Sequence, residues 1–220
     1  MPLQKNTSGQ GPAPGSSAGA DRLEGVSSHT VSSTDLARVL AKPTLYRGVV
    51  AILFALVGIF YVQGTPAVAL SLSLGLWMLL TALFMWPVAR LAGLPSAMRT
   101  GVTGAVLAWA VAGVAALFLR DPAGLAVMGA FGLGLGGLCE LIPGIKHRVI
   151  GHPTRDMIIS GGIGVLGAII LVWVALGMGN KIDIHSIFGT LAMIVALLGA
   201  HLIIAGLGYR HDAREAEGAA

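Results

Sequence analysis

Charge is what this sequence has least of. Only 11% of its 220 residues are Asp, Glu, Lys or Arg, against 55% hydrophobic, and the mean hydropathy is +0.82. Soluble domains carry about a quarter charged residues, so this chain has too little polar surface to face water on all sides. Between residues 48 and 208 the only carboxylates are Asp121, Glu140, Asp156 and Asp183. Cysteine is nearly absent too: Cys139 stands alone, which excludes an internal disulfide and makes no metal site by itself. It is expected to be a small packing residue. Enzyme signatures are missing, with no Ser/His/Asp arrangement, no paired carboxylates and no His/Asp metal cluster on any one side. No catalytic activity, cofactor or metal is therefore expected.

What is present is a series of apolar runs. Six have the length to span a bilayer, about 20 residues each, near 46–63, 66–88, 100–119, 122–142, 157–178 and 187–208. The expected fold is all-α: an integral membrane bundle of six transmembrane helices. The lipid bilayer is then the principal partner, and a second copy or another membrane protein is the partner type that glycine-rich faces would suit. A pI near 9.6 does not here mean nucleic acid, because the cations sit in connections beside apolar segments. Twelve lie on one side: Lys5, Arg22, Arg38, Lys42, Arg47, Arg90, Arg99, Lys146, Arg148, Arg155, Arg210 and Arg214. Only Arg120 and Lys181 lie on the other. The positive-inside rule then puts both termini in the cytoplasm.

Residues 1–33 are rich in Gly, Ser, Pro and Ala, a composition that cannot bury enough surface to offset the entropy of ordering. No basic start is followed by an apolar core, so a signal peptide is not expected. Residues 34–42 (TDLARVLAK) read as a short helix that Ser33 or Thr34 caps and Pro43 stops, either flat on the membrane or part of the loose tail. The expected organisation is thus a cytoplasmic tail over 1–44, a membrane domain over 45–208 and a short cytoplasmic tail over 209–220.

An internal repeat runs through the membrane domain. Gly75, Gly132 and Gly189 hold similar places in the second, fourth and sixth segments, each 57 residues from the next. Pro66 and Pro122, 56 apart, each precede one of those helices, and the third copy has GNKIDIHSIFG instead. Three tandem helical hairpins are expected, each turning through a short connection on the less basic side.

Residues 132–144, GLGLGGLCELIPG, contain a literal G-x-G-x-x-G at Gly132, Gly134 and Gly137. A dinucleotide fingerprint needs a preceding strand and a helix N-terminus aimed at pyrophosphate, and a run inside a spanning helix offers neither. Small residues here let helix backbones approach closely. Gly132, Gly136 and Glu140 are four apart and share one face, so Glu140 is expected to look toward a neighbouring helix rather than lipid. Two readings stay open for it: a carboxylate bonded to a loop donor or headgroup water, or a proton-binding or gating group. His201 is the other ionisable residue within a span. The small face of its helix runs through Gly189, Ala192, Ala196 and Gly199 or Ala200, with His201 about 100° beyond Ala200. It is read either as a neutral histidine or as a proton relay with Glu140. His147 and His152 lie among Lys146, Arg148 and Arg155, where an anionic-headgroup contact fits better than a metal. Trp86 fits an interfacial anchor, and Trp77, Trp109 and Trp173 are expected in the bundle or facing lipid.

Three strings carry a resemblance: YRGVVAILFALVGIFYVQGTPAVALSLSLGLWMLLTALF, FLRDPAGLAVMGAFGLGLGGLCELIPG and MIISGGIGVLGAIILVW. Together they resemble the HdeD-like family of small bacterial membrane proteins, which have six spanning helices as three hairpins with prolines at the turns. The resemblance covers residues 45–208, and the third repeat departs from it in lacking its proline. It implies a role in acid or envelope stress tolerance in the inner membrane and brings no catalytic residues. A small proton-coupled transporter or permease and an accessory subunit of a larger membrane complex remain the alternatives.

Overall fold

The computed structural model describes residues 33–60, 66–91 and 94–218; the expected N-terminal tail up to residue 32 lies outside them. Six helices follow one another: α1 (Ser33–Phe60), α2 (Pro66–Ala89), α3 (Ser96–Phe118), α4 (Pro122–Lys146), α5 (His152–Met178) and α6 (Ile184–Gly218). Single 3-10 turns, Arg148–Ile150 and Gly179–Lys181, precede the last two. No strand occurs among the described residues, and all six helices are long and apolar enough to cross a membrane. The starts have local causes. Asp121 caps α4 by accepting from the Gly124 backbone N–H at 2.6 Å, with Pro122 in the first turn. Arg120 closes the end of α3 by donating to the carbonyls of Leu117 and Leu119 at 2.7 and 2.6 Å and to the Ser71 hydroxyl of α2.

Each helix packs antiparallel on the next, and α6 returns to α1, so the six form a closed ring. The most extensive seams are α1/α6, α4/α5 and α2/α3. Glycine explains them. At α1/α6, a Cβ on Gly48 would lie 3.1 Å from the Gly199 carbonyl oxygen, and one on Gly199 would lie 3.1 Å from that of Gly48. Gly75 and Gly113 make the same reciprocal approach at α2/α3, at 2.9 and 3.0 Å. At α4/α5, Gly137 and Gly161 meet at 2.7 and 2.6 Å. Backbones this close leave no room for a side chain between them. The smaller α1/α2 seam is filled by rings instead, with Phe54 on Trp77 at 5.4 Å and Tyr46 on Phe84 at 5.2 Å.

Two expectations need correction. Pro43 does not stop the first helix: α1 runs through it unbroken. A proline in a helix interior costs about 3 kcal/mol, but Leu36, Ala37, Leu40 and Ala41 before it are all buried. Burying the two leucines alone contributes about 3–6 kcal/mol, so tertiary packing outweighs the break. The segment is neither loose nor flat on a surface. Likewise residues 209–218 continue α6, which runs for 35 residues in all, rather than leaving the helix as a tail.

Neighbouring glycines give a test of the seam. A Cβ at Gly161 would sit 2.6 Å from the Gly137 oxygen and 2.7 Å from the Leu141 nitrogen, whereas one at Gly162 would meet nothing within 4 Å. Gly161→Ala is expected to destabilise the bundle by about 1–3 kcal/mol, and Gly162→Ala to stabilise it by about 0.5–1 kcal/mol through helix propensity. Denaturant unfolding in detergent micelles reads both; equal shifts of the same sign would refute the seam.

Candidate functional site

The continuation of α1 through Pro43 has its main effect one turn later. Leu36, Leu40, Thr44, Arg47, Ala51 and Phe54 are buried at helical spacing, so Arg47 belongs to the inward face of α1. On α4 the buried face runs through Gly129, Gly132, Gly136, Glu140 and Pro143. The Arg47 guanidinium reaches the Glu140 carboxylate at 2.8 Å, and the two side chains are only 5% and 4% exposed. Ser160 of α5 donates to the other carboxylate oxygen at 2.9 Å. From α3, Trp109 places its ring 4.6 Å beneath the guanidinium carbon, a cation–π contact contributing about 2 kcal/mol where water is excluded. Gly136 makes room for that indole, since a Cβ there would overlap the Trp109 nitrogen. Four helices thus converge on one ion pair.

Two small cavities flank it. One, of about 30 Å³, lies toward the end of the bundle that holds the α2–α3 and α4–α5 connections. Leu36, Leu40, Leu94 and Met98 line it together with Thr44, Asp156 and Tyr209. Asp156 and Tyr209 also line an open groove between α5 and α6. On the other side of the pair a cavity of about 10 Å³ is lined by Thr81, Trp77 and Trp109. Arg47 Nε and Thr81 Oγ1 are buried without a hydrogen-bond partner there. A water needs about 10–15 Å³ of such space. The larger cavity therefore suits about two waters, and the smaller is at the limit for one; neither admits an organic substrate.

Glu140 faces a neighbouring helix, but its donors are a helix arginine and a helix serine rather than a loop group or headgroup water. His201 is not brought to it: its Nε2 lies 3.4 Å from the Asp156 carbonyl oxygen, and it lines an open groove between α5 and α6 that Glu140 does not reach. Gly75, Gly132 and Gly136 sit at crowded approaches, against Leu117, Met78 and Trp109. Gly189 does not pack in this way, for a Cβ on it would meet nothing within 4 Å; the seam of α6 uses Gly199 and Gly206 instead. Trp77 and Trp109 are buried, Trp173 is 76% exposed, and Arg90 lies over the Trp86 ring at 4.4 Å. No group of three or more metal-ligating side chains occurs among the described residues.

Arg47 is the residue that sequence reading misses: it passes for a flanking cation although the first apolar run, 46–63, already contains it. Its signal was the spacing from Leu36, Leu40 and Thr44 to Ala51 and Phe54. Ser160 carried no signal beyond its place beside Gly161 and Gly164 on the small face of α5. Comparisons with models of protein families, with curated proteins and with solved structures find no match to this chain.

Ser160 gives the site a test of its own. Its hydrogen bond to a buried charge is expected to be worth about 1.5–3 kcal/mol, so Ser160→Ala should lower unfolding stability by that amount. Ser73, which donates back to the carbonyl of Ala69 in its own helix at 2.6 Å, is the control, and Ser73→Ala should stay within about 0.5 kcal/mol.

Proposed function

We propose that this chain is a multi-pass protein of a bacterial inner membrane, crossing it six times as three tandem hairpins with both termini in the cytoplasm. It contributes to acid or envelope stress tolerance in the HdeD-like manner, without enzymatic chemistry. Spanning is supported by the way the bundle distributes its side chains. Gly132, Gly136, Gly137, Gly161, Ala112 and the ion pair turn inward, while Leu53, Phe118, Leu176, Met193 and Ile204 are more than half exposed, a surface that suits lipid and not water. Orientation is supported by nine described cations at one end, Arg38, Lys42, Arg90, Arg99, Lys146, Arg148, Arg155, Arg210 and Arg214, against Arg120 and Lys181 at the other. The stress role is supported by the three resembling strings alone.

The observation that carries the non-catalytic reading is the saturation of Glu140. Arg47 and Ser160 meet its two oxygens, and the carboxylate acts as a bond between helices. One observation favours the second reading, a proton-coupled transporter: water-sized cavities adjoin the pair on both sides, and Asp156 and Tyr209 lie between the larger one and the groove that His201 lines.

Proteoliposomes separate the two. The purified protein is expected to pass no more protons than empty vesicles, and Glu140→Gln to change nothing. Flux that vanishes in a variant still folded in the vesicles would establish the transporter instead. Sidedness is checked by thiol labelling of a Cys139→Ala background carrying Glu215→Cys or Lys181→Cys. In intact cells, Lys181→Cys is expected to react with an impermeant maleimide and Glu215→Cys to be protected.

A further inference from the structure

The α1/α6 seam opens, at its basic end, into a groove of about 440 Å³ that the ion pair does not use. Arg38, Lys42, Arg210 and Arg214 line it, against the single carboxylate Glu217. Glu217 is held by Arg38 at 2.9 Å, which leaves it engaged with one cation at the rim. No ion pair among the described residues involves Lys42, Arg210 or Arg214. The groove therefore gathers cations from two helices where helical packing alone would need none. Its floor is apolar, formed by Ala41 and Leu45. Directly beyond that floor, toward the middle of the bundle, the same seam exposes Val49 and Leu56 of α1 and Leu207 of α6, at 48%, 42% and 53%.

The geometry points to a binding site for the headgroup of an anionic phospholipid, its phosphate among Lys42, Arg210 and Arg214 and its acyl chains along Val49, Leu56 and Leu207. Cation above and apolar stripe below match the two halves of such a lipid, and a free inorganic anion would leave the stripe unused. Tyr46, 53% exposed at the groove wall, sits at the level where aromatic rings meet the headgroup layer. Basic pockets between helices at the cytoplasmic surface are suited to anionic headgroups because each cation adds a favourable contribution there. The inference rests on the membrane reading above, and it is independent of whether the protein moves protons.

The test uses the full chain. Protein reconstituted into vesicles is first floated on a density gradient; protein in neutral detergent is then titrated with phosphatidylglycerol or phosphatidylcholine, and retained lipid is counted by native mass spectrometry. Preferential retention of phosphatidylglycerol is expected. Lys42→Gln combined with Arg210→Gln and Arg214→Gln should weaken it roughly a hundredfold, about fivefold per cation. Lys42→Gln alone should show the single step, and the control pair Arg90→Gln with Arg155→Gln should change it less than twofold. Equal losses in the triple variant and the control pair would overturn the site in favour of diffuse surface charge. Displacement of the lipid by millimolar inorganic phosphate would overturn the lipid assignment in favour of an anion site. Protein that floats with the vesicles yet retains both lipids alike overturns this inference alone. Protein that floats with no vesicle overturns the membrane reading and this inference with it.

Discussion

Two unit charges removed from water set the conditions for everything else in this bundle. Taking Arg47 and Glu140 out of solvent costs several kcal/mol for each ion, and their attraction offsets this only when geometry is good and the remaining polar groups are met. Here the separation is 2.8 Å, Ser160 meets the second oxygen and Trp109 underlies the guanidinium. Arg47 Nε is the group left without a partner, which costs about 1–3 kcal/mol if no water reaches it. Such a pair is near break-even as a source of stability. What it supplies is specificity: only one rotation of α1 aims Arg47 at α4, and only one rotation of α4 and α5 presents Glu140 to Ser160.

That constraint organises features that look unrelated along the chain. The turns of α1 before Pro43 shield the pair from the basic end, because Leu36 and Leu40 line the cavity beside it. Gly136 is small because Trp109 must lie against it, and Gly161, next to Ser160, is small because the serine reaches Glu140 only if α5 comes within backbone distance of α4. The α1/α6 seam holds α1 in register along its whole length, ending with the Arg38–Glu217 contact. Local choices of glycine thus serve a single polar contact between helices remote in sequence.

Much of the fold was legible in the sequence, and the reason is that helices long and apolar enough to cross a membrane announce themselves by length and hydropathy. The starts of α2 and α4 at Pro66 and Pro122 were read correctly because proline at a helix start is a local signal. The first helix was misjudged at Pro43, since the leucines that outweigh the proline pack against residues far along the chain, which no local rule sees. Glu140 was legible as a residue facing a helix because spacing alone sets its face. Its partner was not, since Arg47 lies 93 residues away and resembles the cations found beside the apolar runs. Gly189 shows the converse: a repeat of 57 residues fixes where a glycine falls along the chain, not which seam it meets.

A double-mutant cycle measures the Arg47–Glu140 coupling directly. Arg47→Met and Glu140→Leu, singly and together, would be unfolded by denaturant in the same micelles. Each single change is expected to cost about 3–5 kcal/mol by leaving a buried charge alone, and the double change to cost less than either. Single effects that are small, or that simply add in the double variant, would contradict the claim that this pair fixes the bundle.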